Sequence, residues 1–407
     1  KGLAALGTQF RIGAFTNTSV PSTNENHYTF ASILATENNT TISFSDIKPG
    51  VSLINNAGVG NNPNNIILNS GESFVMAVQG PNDANRDGLI GALISSDKPI
   101  AVNCGSIAGS NGTTSNLDLG FDQIVSAERT GNEYIFIKGN GLDVMEKPLI
   151  IAHENSTDVF LNGSTTPFTT LNAGDYVALD GSQFSANGNL YVNTSKNVFA
   201  YQGIGGSPDQ PNQNMHFLPP LSCQTPKVIN NIPFINAVGN DPSYTGTVNI
   251  VTETGATLTF TINSVDYTLA TLPSNLTVNG PFSVIGNSNY ESYTISGFTG
   301  NVSVFSTNQL YLSFFGSSGA ATYGGYYSGF TFKPEITLQH VNSNDTTCIP
   351  NVNLSSSTIS GFDIFQWYFN DVLIPGANTN AYQPTQPGNY YLSATLSTCN
   401  ITLISDR

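Results

Sequence analysis

Positively charged residues are scarce in this chain. Lysine and arginine together number 12 of 407 residues, against 27 aspartates and glutamates, and the formal net charge is −15. Nucleic acids are bound through clusters of lysine and arginine that neutralise phosphates, and anionic membranes attract the same charge. We therefore expect neither nucleic acid nor an acidic membrane surface among the partners.

Long hydrophobic runs are also missing. No stretch approaches the roughly 18 apolar residues that predict a membrane-spanning helix, so we expect no membrane insertion. The residues after Lys1 do not have the charged and apolar regions of a signal peptide, and we expect either a mature protein or a fragment. A weakly charged chain rich in asparagine, threonine and aromatic residues is typical of exported proteins, which predicts a secreted or outer-cell-surface location.

Catalytic motifs are absent as well. The four histidines are scattered, none lies in an H-E-x-x-H pattern, and there is no G-x-S-x-G elbow. His153 and Glu154 are neighbours on a predicted strand, so their side chains point to opposite faces and make a poor acid and base pair. We predict that the protein is not an enzyme. Because a glycosidase needs only two carboxylates, a carbohydrate-active or carbohydrate-binding module of a polysaccharide-processing protein remains the alternative.

Only four cysteines are present, and four cysteines allow three pairings. Cys348 and Cys399 lie on either side of the only tryptophan, Trp367, an order typical of a sandwich domain with an inter-sheet disulfide beside a core tryptophan. We predict a Cys348–Cys399 disulfide on this ground. Cys104 and Cys223 either meet because two parts of the chain fold back on each other or are two buried free thiols. No cysteines have the close paired spacing of a zinc site.

What the chain does contain is a threefold repeat. An apolar strand that runs into glutamate, a short polar turn and a second strand of alternating residues occur at residues 33–44, 150–160 and 250–260. Alternation with a period of two on both arms predicts a β-hairpin with one buried face. Because Glu37, Glu154 and Glu253 recur in all three copies, we predict a structural role for them, such as holding turn amides.

Two further pieces follow each hairpin. A glycine turn that leads into a strand occurs at residues 68–74 and 171–177, with a looser equivalent at residues 289–293. A strand, a polar corner and another strand occur at residues 94–102, 192–200 and 304–312. The equivalent positions Lys98, Lys196 and Asn308 are 98 and 112 residues apart, so each repeat has the size of a small domain.

Composition supports an all-β fold. The chain has 39 glycines, 17 tyrosines and 24 phenylalanines, and straight-chain helix formers are few. We predict three related β-sandwich-like units followed by a small immunoglobulin-like β-sandwich. The predicted boundaries are residues 1–110, 111–223, 224–332 and 333–407. Whether the three units pack side by side or in a row is left open.

The tail from about residue 333 has the features of a separate domain. Residues 362–371 form a core strand with a following turn, and residues 386–394 form a turn that leads into a strand. Together with the prolines and glycine between them, these segments resemble the immunoglobulin-like modules of bacterial surface proteins, in which a tryptophan fills the core.

Several segments carry a resemblance to a known family. They are residues 87–91, 98–106, 121–125, 131–136, 199–203 and 218–223. These segments resemble the IgGFc-binding-like N-terminal region of large cell-surface proteins of Bacteroidota. The resemblance implies export by the type IX secretion system, kinship with gliding-motility adhesins and membership of a larger surface assembly. The sorting signal of such proteins is not evident before Arg407, so that route is inferred.

One loop has the pattern of a calcium site. Asp83, Asn85 and Asp87 fit D-x-N-x-D-G, in which alternate oxygen side chains point inward, and the backbone of Leu89 adds a carbonyl. The chain has Ile94 where an EF-hand has its bidentate glutamate. Another loop must then complete the shell. The candidate donors for this are Asp118 and Asp122, and the alternative is a solvated loop without a metal.

The residues after the third repeat form a glycine-rich aromatic run. Tyr323, Tyr326 and Tyr327 are candidate ligand-contact residues, because aromatic faces stack on sugar rings. The alternative is a core strand or a joint between units.

The sequence therefore predicts a secreted or cell-surface adhesin that attaches through loops on a rigid β scaffold, with surface glycans or other cell-surface polymers as partners and calcium as a candidate cofactor. A purely structural stalk is a further alternative.

Overall fold

The computed structural model describes the chain except for residues 22, 55–61, 113–116, 205–213, 240–243, 320, 328–333, 342–348, 357–361, 398–400 and 406. The described residues form β-strands and short 3₁₀ turns and contain no α-helix. The all-β prediction is confirmed. Within these same ranges, no helix is long and apolar enough to cross a membrane.

The three repeats account for 23 strands in the described residues. The first repeat contains β1 Gly7–Arg11, β2 Tyr28–Ala35, β3 Thr40–Ser45, β4 Asn65–Leu68, β5 Ser73–Gln79, β6 Leu93–Gly109 and β7 Asp118–Ile124. The second contains β8 Gly131–Ile137, β9 Lys147–Ala152, β10 Thr157–Leu161, β11 Thr169–Leu171, β12 Tyr176–Ala178, β13 Asn189–Ile204 and β14 Asn214–Phe217. The third contains β15 Val228–Ile232, β16 Thr245–Glu253, β17 Leu258–Ile262, β18 Val265–Thr268, β19 Thr277–Ser283, β20 Tyr290–Phe298, β21 Val302–Ser306, β22 Leu310–Ser318 and β23 Ala321–Tyr327. The 3₁₀ turns are Gly2–Ala5, Asp83–Asn85, Ala127–Arg129, Asp143–Met145, Gly181–Gln183 and Leu269–Thr271.

The three repeats share one topology. The first part of β6 pairs with β1 and β3, and its second part pairs with β2 and β7. In the second repeat β13 pairs in the same way with β8 and β10, then with β9 and β14. In the third repeat the polar corner divides this strand, so β21 pairs with β15 and β17 while β22 pairs with β16 and β23. The threefold repeat predicted from the sequence is thus present in the fold, with β19 as an addition beside β20. The predicted β-hairpins are wrong, because the two strands of each copy do not pair with each other. β2 and β3 pair with different parts of β6, β9 and β10 with different parts of β13, and β16 and β17 with β22 and β21.

The strand registers define which residues are equivalent. Leu34 lies opposite Ala101, Ile151 opposite Phe199, and Val251 opposite Tyr311. Because side chains alternate between faces, these six residues all lie on the same side of their sheets. On the same side, Asn103 faces Gln123, Tyr201 faces Phe217, and Ser313 faces Tyr326.

The repeats share apolar cores. Phe10, Ile33 and Val102 of the first repeat belong to one buried cluster that also contains Ile151 and Tyr201 of the second. The second repeat has its own core on the opposite side of its sheet, around Ile150, Val159 and Val192. A further cluster joins Ile135, Ile137 and Tyr191 of the second repeat to Val251 and Tyr311 of the third. Consecutive repeats therefore pack against each other through their sheets.

The corner lysines stabilise the connection between the first two strands of the repeat. Lys98 donates to the carbonyl of Asn38, and Lys196 donates to the carbonyl of Asn155 at 2.5 Å and lies 4.0 Å from Glu154. In the third repeat Glu253 accepts from the side chain of Gln309 at 2.7 Å. The glycine turns that follow are held by other carboxylates: Glu72 accepts from the backbone N–H of Asn69 at 2.7 Å, and Asp175 accepts from that of Asn172 at 3.1 Å.

One predicted boundary falls inside a sheet. The cut between residues 110 and 111 lies between β6 and β7, which pair with each other, so β7 is described here with the first repeat. The cuts at residues 223 and 332 fall between sheets. The chain forms two compact units, residues 1–221 with 225–330, and residues 222–224 with 331–407.

The second compact unit has two sheets. Its strands are β24 Ile336–His340, β25 Val352–Ser356, β26 Ile364–Phe369, β27 Val372–Leu373, β28 Ala381–Tyr382, β29 Tyr390–Leu396 and β30 Ile401–Ile404. One sheet has the order β24-β25-β28 and the other β27-β26-β29-β30. Trp367 is fully buried between them, as the sequence predicts, and its indole N–H donates to the carbonyl of Thr379 at 2.9 Å.

Two of the four cysteines, Cys104 and Cys223, lie within the described residues. Cys104 is a buried free thiol on β6, and burial raises its pKa to about 11. Cys223 is disulfide-bonded. Both alternatives for these two cysteines are therefore wrong: they do not pair with each other, because Cys104 is free, and they are not both free thiols. The predicted Cys348–Cys399 pair lies outside the described residues.

Candidate functional site

The predicted calcium loop is held by protein groups. It forms a 3₁₀ turn at Asp83–Asn85, with Asn82 as the cap. The side chain of Asn85 is buried, where it accepts from the N–H of Ser52 at 3.0 Å and donates to the carbonyl of Gln79 at 2.7 Å. Asn85 thereby joins the loop to the end of β5.

Asp87 connects the first repeat to the second. Its Oδ2 accepts from the Lys48 ammonium at 2.6 Å and from the Tyr176 hydroxyl at 2.5 Å. The Lys48 ammonium also lies 4.7 Å from the centre of the Tyr176 ring. Burial alone would raise the pKa of Asp87, but the hydrogen bonds from Lys48 and Tyr176 outweigh it and the pKa lies below its usual value. Asp87 therefore joins β12 of the second repeat to the first repeat through hydrogen bonds to a charged carboxylate. We call Asp87, Lys48 and Tyr176 together the latch.

The remaining predicted ligands have other neighbours. Asp83 is exposed and pairs with Arg86 at 3.1 Å, and Leu89 is fully buried. Asp118 accepts from the N–H of Leu119 at 2.8 Å, and Asp122 pairs with Lys1 and accepts from the N–H of Phe217 at 2.9 Å. In the described part of the chain no three histidine, cysteine, aspartate or glutamate side chains are grouped to hold a metal ion. Calcium stays a prediction, and an ion at this loop has to compete with Lys48 and Arg86.

The aromatic run lies on β23. Tyr326 faces the second repeat, with its ring 5.3 Å from that of His216. Tyr323 packs against Tyr244 at 5.3 Å, and Tyr327 packs against Phe314 at 5.5 Å. Burial raises the pKa of Tyr323 to about 12. Tyr326 therefore lies at the joint between the second and third repeats, while Tyr323 and Tyr327 pack within the third. Ligand contact by these residues stays a prediction.

Two histidines are buried in the neutral form. Burial lowers the pKa of His216 to about 3, helped by the charge of Lys1, and burial together with Arg86 lowers that of His27 to about 4. Both side chains are nearly inaccessible to solvent. They therefore contribute to packing rather than to proton transfer with a solvent-borne substrate.

The most prominent surface feature is an apolar sheet face on the first repeat. We call it the open face and define it as the outward side of β5, β2, β6 and β7. Five large apolar side chains on it are exposed: Leu34 by 42%, Val75 by 47%, Ile107 by 55%, Leu119 by 51% and Phe121 by 46%. The other positions on this side are uncharged as well: Tyr28, Phe30, Ser32, Ser73, Ala77, Gln79, Asn103, Gly105 and Gln123. Exposed apolar patches of this kind mark interaction sites in soluble proteins.

A glycine brings two rings of the open face together. Gly105 lies between Phe30 and Phe121 in the strand ladder. Its φ is +150°, and a Cβ there would be 2.6 Å from the Cβ of Phe121. The Phe30 and Phe121 rings therefore meet edge to face above it, with their centres 5.6 Å apart. This contact makes the centre of the open face aromatic.

The same side of the other two repeats is covered. In the second repeat Ile151, Phe199, Tyr201 and Phe217 are all fully buried. The Tyr201 hydroxyl donates to the carbonyl of Arg11 at 2.6 Å, and a Cβ on Gly13 would be 2.5 Å from the Tyr201 ring. The first repeat thus lies directly on this side of the second.

In the third repeat the covering surface comes from the second. Val251 is 3% exposed and Tyr311 2%, and both pack on Ile135 and Tyr191. The described positions of this side on β9, β13 and β14 of the second repeat and on β16 and β22 of the third are therefore largely covered, while Phe282 on the added strand β19 is 39% exposed.

Sequence pattern alone does not predict this difference in exposure. Both faces are apolar in β2 and in β9. Ile33 and Leu34 are neighbours in β2 and point to opposite faces, and so do Ile150 and Ile151 in β9. A strand that is apolar on both sides predicts burial on both sides. The only available signal was the absence of charge from alternate positions of β2, β5 and β7.

Comparison with known proteins gives one family. Residues 2–316, more than half of the 407-residue chain, match the family model described as IgGFc binding protein. The match covers all strands of the first two repeats and most of the third. No curated protein matches the chain.

Proposed function

Because this chain belongs to the family described as IgGFc binding protein, we propose that it is a non-enzymatic binding protein of the cell surface or the extracellular space, with the open face as its main contact surface. The observation that carries the proposal is the exposure of Leu34, Val75 and Phe121 on a side that is buried in the other two repeats. Apolar surface that costs free energy in water is retained where a partner covers it.

The chemistry of the open face suits contact with another protein surface. Aromatic residues are enriched in protein interfaces, and charged residues are depleted from interface centres. Phe121 and Phe30 provide the aromatic centre, and Asn103 and Gln123 provide hydrogen-bonding groups beside it. A sheet surface of this kind favours a broad partner over a small molecule.

The finer role that we propose is adhesion. A scaffold of three packed repeats holds the open face rigidly, so many weak contacts act together when many copies are presented on one surface. Export by the type IX system, a Bacteroidota origin and the immunoglobulin-like nature of the C-terminal unit belong to this proposal through the resemblance of the sequence. Calcium at residues 83–89 belongs to it as an ion that tightens the joint at Asp87.

Binding of the purified chain to immobilised surfaces tests the proposal. The probes are the Fc fragment of IgG, which the family description names, and purified mucin, each measured by biolayer interferometry. The variants are Phe121→Lys and Val75→Lys on the open face. The control is Phe305→Lys, because Phe305 is an outward strand residue of the third repeat with 42% exposure, close to the 46% of Phe121.

We expect Phe121→Lys and Val75→Lys to weaken binding by about tenfold or more, because a lysine ammonium loses hydration when an apolar surface covers it. Phe305→Lys is expected to bind as the wild type does. Binding that survives both open-face substitutions would exclude the open face, and turnover of a polysaccharide by the purified chain would overturn the non-enzymatic assignment.

A second candidate, glycan binding, rests on the C-terminal unit. A cavity of about 180 Å³ is lined there by Phe369, Tyr382, Tyr390 and Gln386, a set in which aromatic faces and an amide are available to a sugar ring. A glycan array with the wild type and with Leu373→Asp, on the exposed rim, tests it. Equal signals from the two proteins would exclude this cavity.

A further inference from the structure

The way in which the repeats meet indicates what covers the open face. On the last strand of the first repeat, the carboxylate of Asp122 accepts from the N–H of Phe217 in the second repeat at 2.9 Å. On the last strand of the second repeat, the His216 ring lies 5.3 Å from the Tyr326 ring of the third.

These two contacts join equivalent positions. Phe217 and Tyr326 are equivalent by register, and so are Asp122 and His216, one position earlier on their strands. Each later repeat therefore presents the same face to the repeat before it. The open face is the equivalent of this docking face on the first repeat, where the described residues of the chain leave its large side chains exposed.

Charge also favours a partner like the chain itself. The net charge of −15 opposes association of two copies through most of their surfaces. The open face has no charged residue at its strand positions, so its burial brings no like charges into contact.

On these grounds we infer that the occupant of the open face is a β repeat of a second copy of this chain, so that the attachment we propose is homotypic. The inference rests on the proposed function, since it names the partner of the same surface. The repeats of the chain already provide surfaces that fit this docking face, as Arg11, Gly13 and Ile135 do within one molecule.

The size of the face predicts weak pairing. Four strands about 4.8 Å apart, each about seven residues long, cover roughly 350 Å², against about 800 Å² per partner in a stable interface. We therefore expect a dissociation constant of about 10 µM or weaker in solution. Copies crowded on facing surfaces would still hold together through multivalency.

Sedimentation velocity of the full chain tests the inference. The wild type, Phe121→Lys, Val75→Lys and the control Phe305→Lys are compared over a concentration series that reaches about 500 µM. Circular dichroism and thermal melting establish that all four are folded, which is expected because each substituted side chain is more than 40% exposed.

We expect reversible, concentration-dependent self-association of the wild type and of Phe305→Lys, and a loss of about tenfold or more in both open-face variants. A wild type that stays monomeric throughout would overturn the inference. So would self-association that persists in Phe121→Lys and Val75→Lys.

A second measurement separates this inference from the proposed function. Beads coated with the wild type are mixed with beads coated with the wild type or with Phe121→Lys, and clustering is scored beside the Fc and mucin measurements. Wild-type beads that cluster with each other, and less with beads that carry Phe121→Lys, support homotypic contact. If Phe121→Lys weakens mucin or Fc binding while wild-type beads do not cluster, the proposed function stands and the homotypic partner is excluded. If neither Fc or mucin binding nor bead clustering depends on the open face, the proposed function of that face and the homotypic partner are both excluded.

Discussion

The first and second repeats have the same sheet and different surroundings. Leu34 is 42% exposed and its equivalent Ile151 is fully buried, although both follow an isoleucine on equivalent strands. The strand itself is the same in both places, so the difference comes from what packs on it. Exposure of an apolar face in a repeat protein therefore reports a missing neighbour, and it does not report a different kind of strand.

The two joints between repeats also differ. The joint between the first and second repeats contains charges: the buried Arg11 binds Asp46 at 2.5 Å, the carbonyl of Gly91 at 2.8 Å and that of His153 at 3.3 Å. At the joint between the second and third, Asn189 donates to the Ser292 hydroxyl at 3.2 Å, and the charged Glu133 accepts from Tyr191 within the second repeat. The first joint should therefore respond to pH and salt more strongly than the second.

The largest expected effect comes from removing a buried side chain from the covered face of the second repeat. Tyr201→Ala should lower the free energy of unfolding by about 3–5 kcal/mol, because it removes a fully buried ring and its hydrogen bond to Arg11. The equivalent change in the first repeat, Asn103→Ala, should cost less than about 0.5 kcal/mol on the open face. Urea denaturation measures both. Similar losses for the two variants would contradict the comparison between the repeats.

A pair of glycines compares a joint with free surface. Gly91 and Gly71 have φ values of +86° and +82°, but a Cβ on Gly91 would be 1.9 Å from the carbonyl of Gly174, while one on Gly71 meets nothing within 4 Å. Gly71→Ala should cost about 1 kcal/mol from backbone strain alone. Gly91→Ala should cost about 1–3 kcal/mol more, since the second repeat must move away. Thermal unfolding measures the stability of both variants. Equal losses of stability would show that the cost of Gly91→Ala comes from backbone strain alone, without a clash against the second repeat.

A smaller effect is expected at the latch between the first two repeats. Asp87→Asn should cost about 1–3 kcal/mol because it weakens the bonds from Lys48 and Tyr176. Asp83→Asn, at an exposed pair, should cost less than about 1 kcal/mol. Denaturation at pH 7 measures both, and equal costs would remove Asp87 from the joint.

The same latch predicts a pH dependence. The pKa of Asp87 is lower in the folded chain than its usual value, so the unfolded chain takes up the proton first as the pH falls. The stability that Asp87 contributes is present above about pH 4 and is lost below it. The gap in stability between the wild type and Asp87→Asn should therefore be constant near neutral pH and shrink below about pH 4. A gap that grows on acidification would contradict this assignment.

The smallest effect is expected from calcium. Asp83 and Asp87 already pair with Arg86 and Lys48, so an ion has to displace them. Millimolar Ca²⁺ added to the chelated protein should raise the melting temperature by about 1–2 °C at most, and Asp87→Asn should abolish that rise. Calorimetry that detects no heat would exclude calcium at this loop. A rise well above this range would show a site that overcomes both ion pairs.

Local pattern was enough to predict much of the fold. Alternation predicted strands within residues 33–44, 150–160 and 250–260, and strands are present there, but the predicted pairing of the two strands into a hairpin is wrong. The predicted strand, polar corner and strand are two strands only in the third repeat, as β21 and β22, and are the single strands β6 and β13 in the first two. Trp367 was correctly predicted to fill the core of the last unit. Strand positions depend on neighbours along the chain, which the side-chain period expresses directly, whereas strand pairing depends on residues far apart.

The candidate sites were harder to predict, because each depends on residues far apart in the sequence. The D-x-N-x-D-G motif gave no indication that Asp87 meets Tyr176, and the aromatic run gave none that Tyr326 meets His216. A carboxylate that fits a metal loop also fits a lysine and a tyrosine, so only the neighbours distinguish the two uses.

By itself, the sequence determined that this protein is all β, that one unit is built three times, and that its surface carries little positive charge. Strand periodicity and composition are properties of the chain that any packing must accept. Only the tertiary structure decided that the second and third repeats each cover one face on the repeat before, and that the first repeat keeps its face open. The reason is physical: burial is a property of two surfaces in contact, and Leu34 carries no information on whether a second surface is there.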